Sequence, residues 1–224
     1  MIQYSSKISG NLTRGEVRTA AIIMIFYAVG IAGISIPLTG EFFLNLIPFV
    51  IIMSLAVSLI FHRSWDLKTV ALFTSVVIMA WMIEAAGVAT GTIFGSYSYG
   101  RALGIKLLET PLLIGLNWLL LIYGTASITE NLHSDAVMKI LTASALMVVY
   151  DLVLEVAAPF LGMWQFDSGI VPVRNYVAWF LLSVLFHSIL RFSGIKVSNR
   201  IAAVIVVVQF IFFAVLSIIF LVAR

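Results

Sequence analysis

The sequence predicts an all-α integral membrane protein: a single transmembrane domain, 1–224, built as a bundle of about seven helices with an irregular or re-entrant segment near 88–109. Three observations predict it. Hydrophobic residues make up 62% of the chain and charged residues 10%, more apolar surface than a soluble domain of this length can hide. Seven nearly uncharged runs approach or reach the roughly 20 helical residues that cross a bilayer. Lys and Arg are divided unevenly between alternate connections, as they are in membrane proteins of fixed orientation.

The runs lie at 19–38, 42–61, 68–87, 110–129, 137–158, 176–193 and 200–222. Lys7, Arg14 and Arg18 precede the first, and no small-residue cleavage site follows a short apolar core, which reads as a retained helix rather than a signal peptide. With the N-terminus inside, the inner segments hold Lys7, Arg14, Arg18, Arg63, Lys68, Lys139, Arg191, Lys196 and Arg200, against Arg101, Lys106, Arg174 and Arg224 outside. Nine against four sets the expected topology: N-terminus inside, C-terminus outside. Asn11-Leu12-Thr13 matches a glycosylation acceptor, a motif without meaning on the inner side. The net charge of +3 reflects these anchors. No basic patch interleaved with aromatics points to nucleic acid, so the expected surroundings are a lipid bilayer. Cysteine is absent, which excludes disulfides, thiolate catalysis and iron–sulfur clusters.

Most connections are short, but two, near 88–109 and 159–175, are long, and both fall outside in this topology. The polar residues gather beside them. Glu84 lies near the exit of the third span, Asp151 and Glu155 in the last turns of the fifth, Asn117 and Trp118 about two turns into the fourth, and Arg174, Asn175, Tyr176 and Trp179 at the start of the sixth. Spans one, two and seven carry almost no polar groups and read as scaffold. An ionisable residue at membrane depth costs a few kcal/mol on insertion scales and is functional by default. The alternative is that Glu84, Asp151 and Glu155 pair with Arg101, Lys106, Arg174 or Asn117 to hold helices together. Three carboxylates at one depth are harder to explain that way.

Asp151 and Glu155 are four residues apart and share a helix face, where like charges repel. Repulsion and desolvation both favour the neutral acid, so at least one of the two is expected to hold a proton near neutrality. Pro159 has no amide to bond the Glu155 carbonyl, which predicts a helix end or a polar kink there. The glycines at 87, 91 and 95 fit small-xxx-small packing between helices. From Phe94 to Gly100, Ser and Tyr alternate with period two, as an extended segment would. Such backbone is tolerated at membrane depth only in protein or lining a cavity, so this stretch is expected to form a pocket wall.

Histidines 62, 133 and 187 form no HxxxH or HxxHH cluster, against a di-iron oxygenase or desaturase. His62 reads as interfacial and His187 as a polar contact in the inner half. No GxGxxG follows a strand, paired Asp-rich motifs for magnesium diphosphate are missing, and the seventh span has no lysine for a retinal Schiff base. No metal or cofactor is expected.

The stretch EAAGVATGTIFGSYSYG (84–100), followed by LGIKLLETPLLIGLNW (103–118) and DLVLEVAAPFLGMWQFDSGIVPVRNYVAWF (151–180), resembles the membrane carotenoid 1,2-hydratases of the CruF type, the bisanhydrobacterioruberin hydratase family. The resemblance covers about 84–180, the region expected to form the pocket. It implies addition of water across the terminal 1,2 double bond of an acyclic carotenoid end group, without a redox cofactor. The implied partners are an acyclic carotenoid such as lycopene or a monocyclic derivative, water, and other carotenoid enzymes. The implied location is a bacterial or archaeal cytoplasmic membrane. Val156-Ala157-Ala158-Pro159 departs from the proline expected directly after the glutamate.

Hydration of such an alkene is acid-catalysed and needs a protonated acid, an acceptor for the water's proton, and stabilisation of a tertiary cation in a dry site. Glu155 or Asp151 can be the acid, Glu84 the base that orients water, and Asn117 a hydrogen-bonding positioner. Tyr97, Tyr99, Trp118 and Trp164 can offer π-faces to the cation, with Phe94, Asn175 and Trp179 completing the expected substrate site. For Trp164 and Trp179 an interfacial aromatic belt is the alternative. Two other functions stay open: a carotenoid or isoprenoid cyclase, which uses the same cation but excludes water, and a proton-coupled transporter, for which buried carboxylates are equally apt. Against transport, no internal repeat relates the halves.

Overall fold

In the computed structural model, residues 12–130, 132 and 135–222 are described. Lys7, Asn11, His133 and Arg224 lie outside these residues. The chain forms eight helices joined by short connections and two small two-stranded sheets, among the described residues.

Helix α1 (Arg14–Ser35) starts at a reciprocal cap: Glu16 N–H donates to Thr13 Oγ1 (3.2 Å) and Thr13 N–H to Glu16 Oε2 (2.8 Å), which satisfies amides the first turn leaves open. It ends where Pro37 forces Ile36 into extended backbone, ψ 119°. The second expected span divides into α2 (Pro37–Asn45) and α3 (Ile47–Ile60), bent 54° at Leu46. Pro48 explains the break, because it has no N–H to give and its ring crowds the carbonyl four residues back. Proline at the first or second position of each piece is well placed to start a new helix.

Helix α4 (Leu67–Thr90) is capped by Asp66, which accepts from Thr69 N–H at 2.7 Å, and stops at Gly91, whose φ of 63° is left-handed. Helix α5 (Leu113–Thr129) is the core of the bundle, with 14 of its 17 residues buried. Two glycines let its neighbours approach: a Cβ on Gly115 would strike the Val77 carbonyl of α4, and one on Gly124 the Val206 side chain of α8 (Arg200–Val222). Helix α6 (Ala136–Ala157) ends two residues before Pro159, so the expected helix end is found and the kink is not. Helix α7 (Val173–Phe192) packs along α6, and α8 packs on α1, α5 and α6.

Five of these helices are long and apolar enough to cross a membrane, and α2 with α3 makes a sixth if the bent pair is one span. The 17-residue α5 is apolar but shorter than a full span. The expected bundle of about seven helices is therefore present, with one span broken and one short.

The irregular segment is extended as anticipated. Strand β1 (Tyr97–Tyr99) pairs antiparallel with β4 (Trp164–Phe166), so the two long connections meet each other. The ladder continues through Gly100 N–H to the Met163 carbonyl, 2.8 Å. A side chain at Gly100 would run into the Gly162 backbone, which is why glycine stands there. Strands β2 (Lys106–Leu107) and β3 (Thr110–Pro111) form a hairpin whose turn residues, Leu108 and Glu109, have φ of 51° and 58°. A two-residue turn of this hand usually takes glycine or asparagine.

The glycine triplet does not join helices. Gly87 makes room for the Phe94 ring, Gly91 ends α4, and Gly95, φ 113°, lies against Pro172. All three serve the reversal of the chain over the end of α4.

Candidate active site

Alternation places the candidate rings. Tyr97 and Tyr99 of β1, and Trp164 and Phe166 of β4, point inward, while Ser98 and Gln165 point out. The two strands form a lid over the ends of α4, α6 and α7, with its aromatic face turned to the carboxylates.

Glu84 of α4 is 3% exposed. Tyr97 Oη donates to its Oε2 at 2.5 Å, Tyr99 Oη to the same oxygen at 2.9 Å, and Trp118 Nε1 to Oε1 at 2.8 Å. Three donors converge on an acceptor-only group, which leaves Oε1 with capacity for one more. On α6, Asp151 and Glu155 share a face as the spacing required. The Asn175 amide of α7 bridges them, donating to Asp151 Oδ2 at 2.8 Å and Glu155 Oε1 at 3.2 Å. Trp164 Nε1 donates to Glu155 Oε2 at 3.0 Å. Asp151 is fully buried and its Oδ1 has no hydrogen-bond partner.

Every partner is neutral. The alternative pairing of these carboxylates with Arg101, Lys106, Arg174 or Asn117 is not what the structure shows; no Lys or Arg forms an ion pair with them among the described residues. Lys106 Nζ instead donates to the Tyr99 carbonyl.

A small chamber of about 20 Å³ lies among Glu84, Phe94, Tyr97, Tyr99, Glu155, Trp164, Asn175 and Trp179, with Ile114 and Phe166 completing the wall. Trp118 reaches it through Glu84, and stacks on Trp179 at 4.5 Å and 29°. Asp151 reaches it through Asn175. Trp164 and Trp179 are buried, at 6% and 5% exposure, rather than forming a belt. Asn117 is the exception. One residue from Trp118, it is rotated about 100° around α5 and lines a separate apolar cavity between α1, α3, α5, α6 and α8. Phe166 was missed because its inward position follows only from the pairing with Tyr97.

The opposite end of the molecule is built differently. His62 Nδ1 lies 2.8 Å from Tyr123 Oη, and Asn199 Nδ2 donates to the same hydroxyl at 3.1 Å. His62 is buried rather than surface-bound, and that burial holds its imidazole below the ordinary histidine range. His187 makes the expected polar contact, 2.9 Å to Thr125 Oγ1. Among the described residues no group of three or more His, Asp or Glu could hold a metal ion.

No solved structure matches the chain. The bisanhydrobacterioruberin hydratase of Haloarcula japonica is 28% identical over 117 residues, 46% of this chain and 38% of that protein. The chain thus aligns with about two fifths of the length of that curated relative. The sequence profile of the carotenoid biosynthesis protein family matches residues 44–224, which takes in the lid, the carboxylates and every helix from α3 onward. The chain belongs to the carotenoid biosynthesis protein family.

Proposed function

We propose that the chamber is the active site of a cofactor-independent carotenoid 1,2-hydratase, which adds water to the terminal double bond of an acyclic carotenoid end group. One observation carries this reading: two buried carboxylates line an aromatic chamber and a third reaches it through Asn175, all with only neutral hydrogen-bond partners. That is the equipment for moving a proton beside a cation. The name of the Haloarcula relative, a hydratase, supports the same chemistry.

In the proposed reaction Glu155, in its neutral form, gives its proton to carbon 2 of the alkene, and the electron pair of the double bond forms the new C–H bond. The tertiary cation at carbon 1 faces the rings of Tyr97, Tyr99, Trp164 and Trp179, each such contact worth ~0.5–2 kcal/mol in a dry site. Water then attacks carbon 1 and loses a proton to Glu84. Return of that proton to Glu155 closes the cycle, and the net change is one water added. Asp151, sharing Asn175 with Glu155, acts as a positioning residue. Trp118 fixes the Glu84 oxygen that faces the water.

The test is direct. Purified protein given an acyclic carotenoid in ¹⁸O-labelled water should yield a tertiary alcohol one water heavier than the substrate and carrying the label, with chelators and removal of air having no effect. An isomeric product would mark cyclisation, and oxygen arriving from O₂ would mark an oxygenase. Either would overturn the proposal.

A further inference from the structure

The carboxylate chamber is small, and a carotenoid is mostly chain. The second cavity is larger, about 90 Å³ against about 20 Å³ for the chamber. Three of the helices around it, α1, α3 and α8, belong to the spans whose sequence reads as scaffold. Phe26, Gly30, Val50, Ile51, Phe212 and Phe213 give it an apolar wall, with Phe43 and Leu46, at the α2–α3 bend, on its rim. The bend thus places the break of the second span beside the cavity rather than against a packed helix face. Gly30 leaves space on the α1 side, where a Cβ would stand 3.3 Å from the Phe212 ring.

This cavity shares walls with the chamber. Helix α5 turns Trp118 toward Glu84 and Asn117 toward the cavity. Helix α6 carries Glu155 on the chamber and Leu154 on the cavity, and the segment before β4 gives Leu161 and Met163 to the cavity while β4 gives Trp164 to the chamber.

One polar group in it is unfinished. Gln209 of α8, 3% exposed, lines the cavity and donates from Nε2 to Tyr27 Oη at 2.7 Å; Tyr27 Oη lies 2.8 Å from Ser54 Oγ. Gln209 Oε1 is buried and has no partner. Turning the amide over would only exchange which atom is left without one. A buried polar atom without a partner costs about 1–3 kcal/mol, and a hydroxyl, donor and acceptor at once, satisfies either orientation.

We infer that the cavity between α1, α3, α5, α6 and α8 binds the polyene chain of the substrate, and that Gln209 hydrogen-bonds a hydroxyl group carried on that chain. The inference rests on the carotenoid hydratase reading for its choice of ligand, and it makes the scaffold helices the determinant of which carotenoid is accepted.

The native chain has no cysteine, so Val50→Cys places one thiol in the cavity wall, far in sequence from the carboxylates. In detergent, a membrane-permeant maleimide should label Cys-substituted protein at least fivefold more slowly when an acyclic carotenoid is bound, whereas an equal amount of phospholipid should give no protection. Unchanged labelling with carotenoid, or equal protection by phospholipid, overturns the inference. This readout needs no turnover, so it is independent of whether wild-type protein forms a hydrated product. The second arm uses Gln209→Met, which keeps the length of the side chain and removes both amide atoms. Its affinity for a hydroxyl-bearing carotenoid should fall by roughly fivefold, the worth of one hydrogen bond, with affinity for the hydrocarbon analogue unchanged. An equal fall for both, or none for either, rejects the role of Gln209. Val70→Trp, on the exposed side of α4, controls for bulk added elsewhere and should change neither affinity.

Discussion

The two ends of the bundle hold acidic residues in opposite ways. At one end Glu130 accepts from Arg191 at 2.6 Å and lies 3.7 Å from Lys139, with about a third of its side chain exposed. At the other, Glu84, Asp151 and Glu155 are buried and meet only tyrosine, tryptophan and asparagine. A carboxylate that serves as a fastener is given a cation and solvent. A carboxylate given neither is expensive, and its place must be justified by what it does to a third party. The contrast separates a fastened end from the end proposed to do chemistry, here called the chemical end, within one chain and with residues of the same type.

The sharpest way to break the contrast is to ask which side of the membrane each end faces, because the answer is all-or-none. We expect the chemical end outside. Ser168→Cys, in the exposed turn after β4, should react with an impermeant thiol reagent in intact cells, and Lys196→Cys, at the opposite end, should react only after lysis. The reverse pattern would assign the chemical end to the inner face.

Next in size is the effect on rate. Glu155→Gln keeps the shape and the acceptor for Trp164 but removes the transferable proton, and should lower hydration by about 10²–10⁴-fold, the usual worth of a general acid. Carotenoid binding and thermal unfolding should stay near wild type, which distinguishes lost chemistry from lost fold. Near wild-type hydration by Glu155→Gln in folded protein would remove Glu155 from the role of acid.

The smallest effect belongs to the fastened end. Arg191→Gln breaks a half-exposed ion pair and should cost less than about 1 kcal/mol of stability, with the loss smaller still at high salt. Hydration should be unchanged. A tenfold fall in rate would mean that the two ends are coupled and that the comparison between them is too simple.

What was legible in the sequence follows from where physics acts on composition. Apolar runs located the spans, because a membrane helix has no other way to satisfy its backbone. The break in the second span lies at Pro48, the seventh residue of the 42–61 run, where an uninterrupted uncharged run hides the bend that the missing N–H imposes. The carboxylates stood out against their apolar background, and so did the tyrosines of the lid. Their partners were harder: only the alternative reading named any, chiefly cations, whereas the fold supplies Trp118, Trp164 and Asn175. Gly87, Gly91 and Gly95 fit a helix-packing period by coincidence of spacing, while each answers a separate need in the chain reversal. Asn117 was placed with its neighbour Trp118, but one residue of helix turns it to the other cavity. Gln209 escaped notice because an uncharged amide barely interrupts an apolar run, and its importance appears only when Tyr27, from the far end of the sequence, meets it.

The claim at the centre is that a buried carboxyl protonates carbon before water adds. The reaction run in D₂O tests it most directly, by mass and NMR analysis of the purified product after back-exchange into ordinary water. The chemistry proposed for Glu155, Glu84 and the aromatic chamber predicts one deuterium fixed on carbon 2 beside the new tertiary alcohol at carbon 1. A product hydroxylated at carbon 1 with no deuterium on carbon would contradict it.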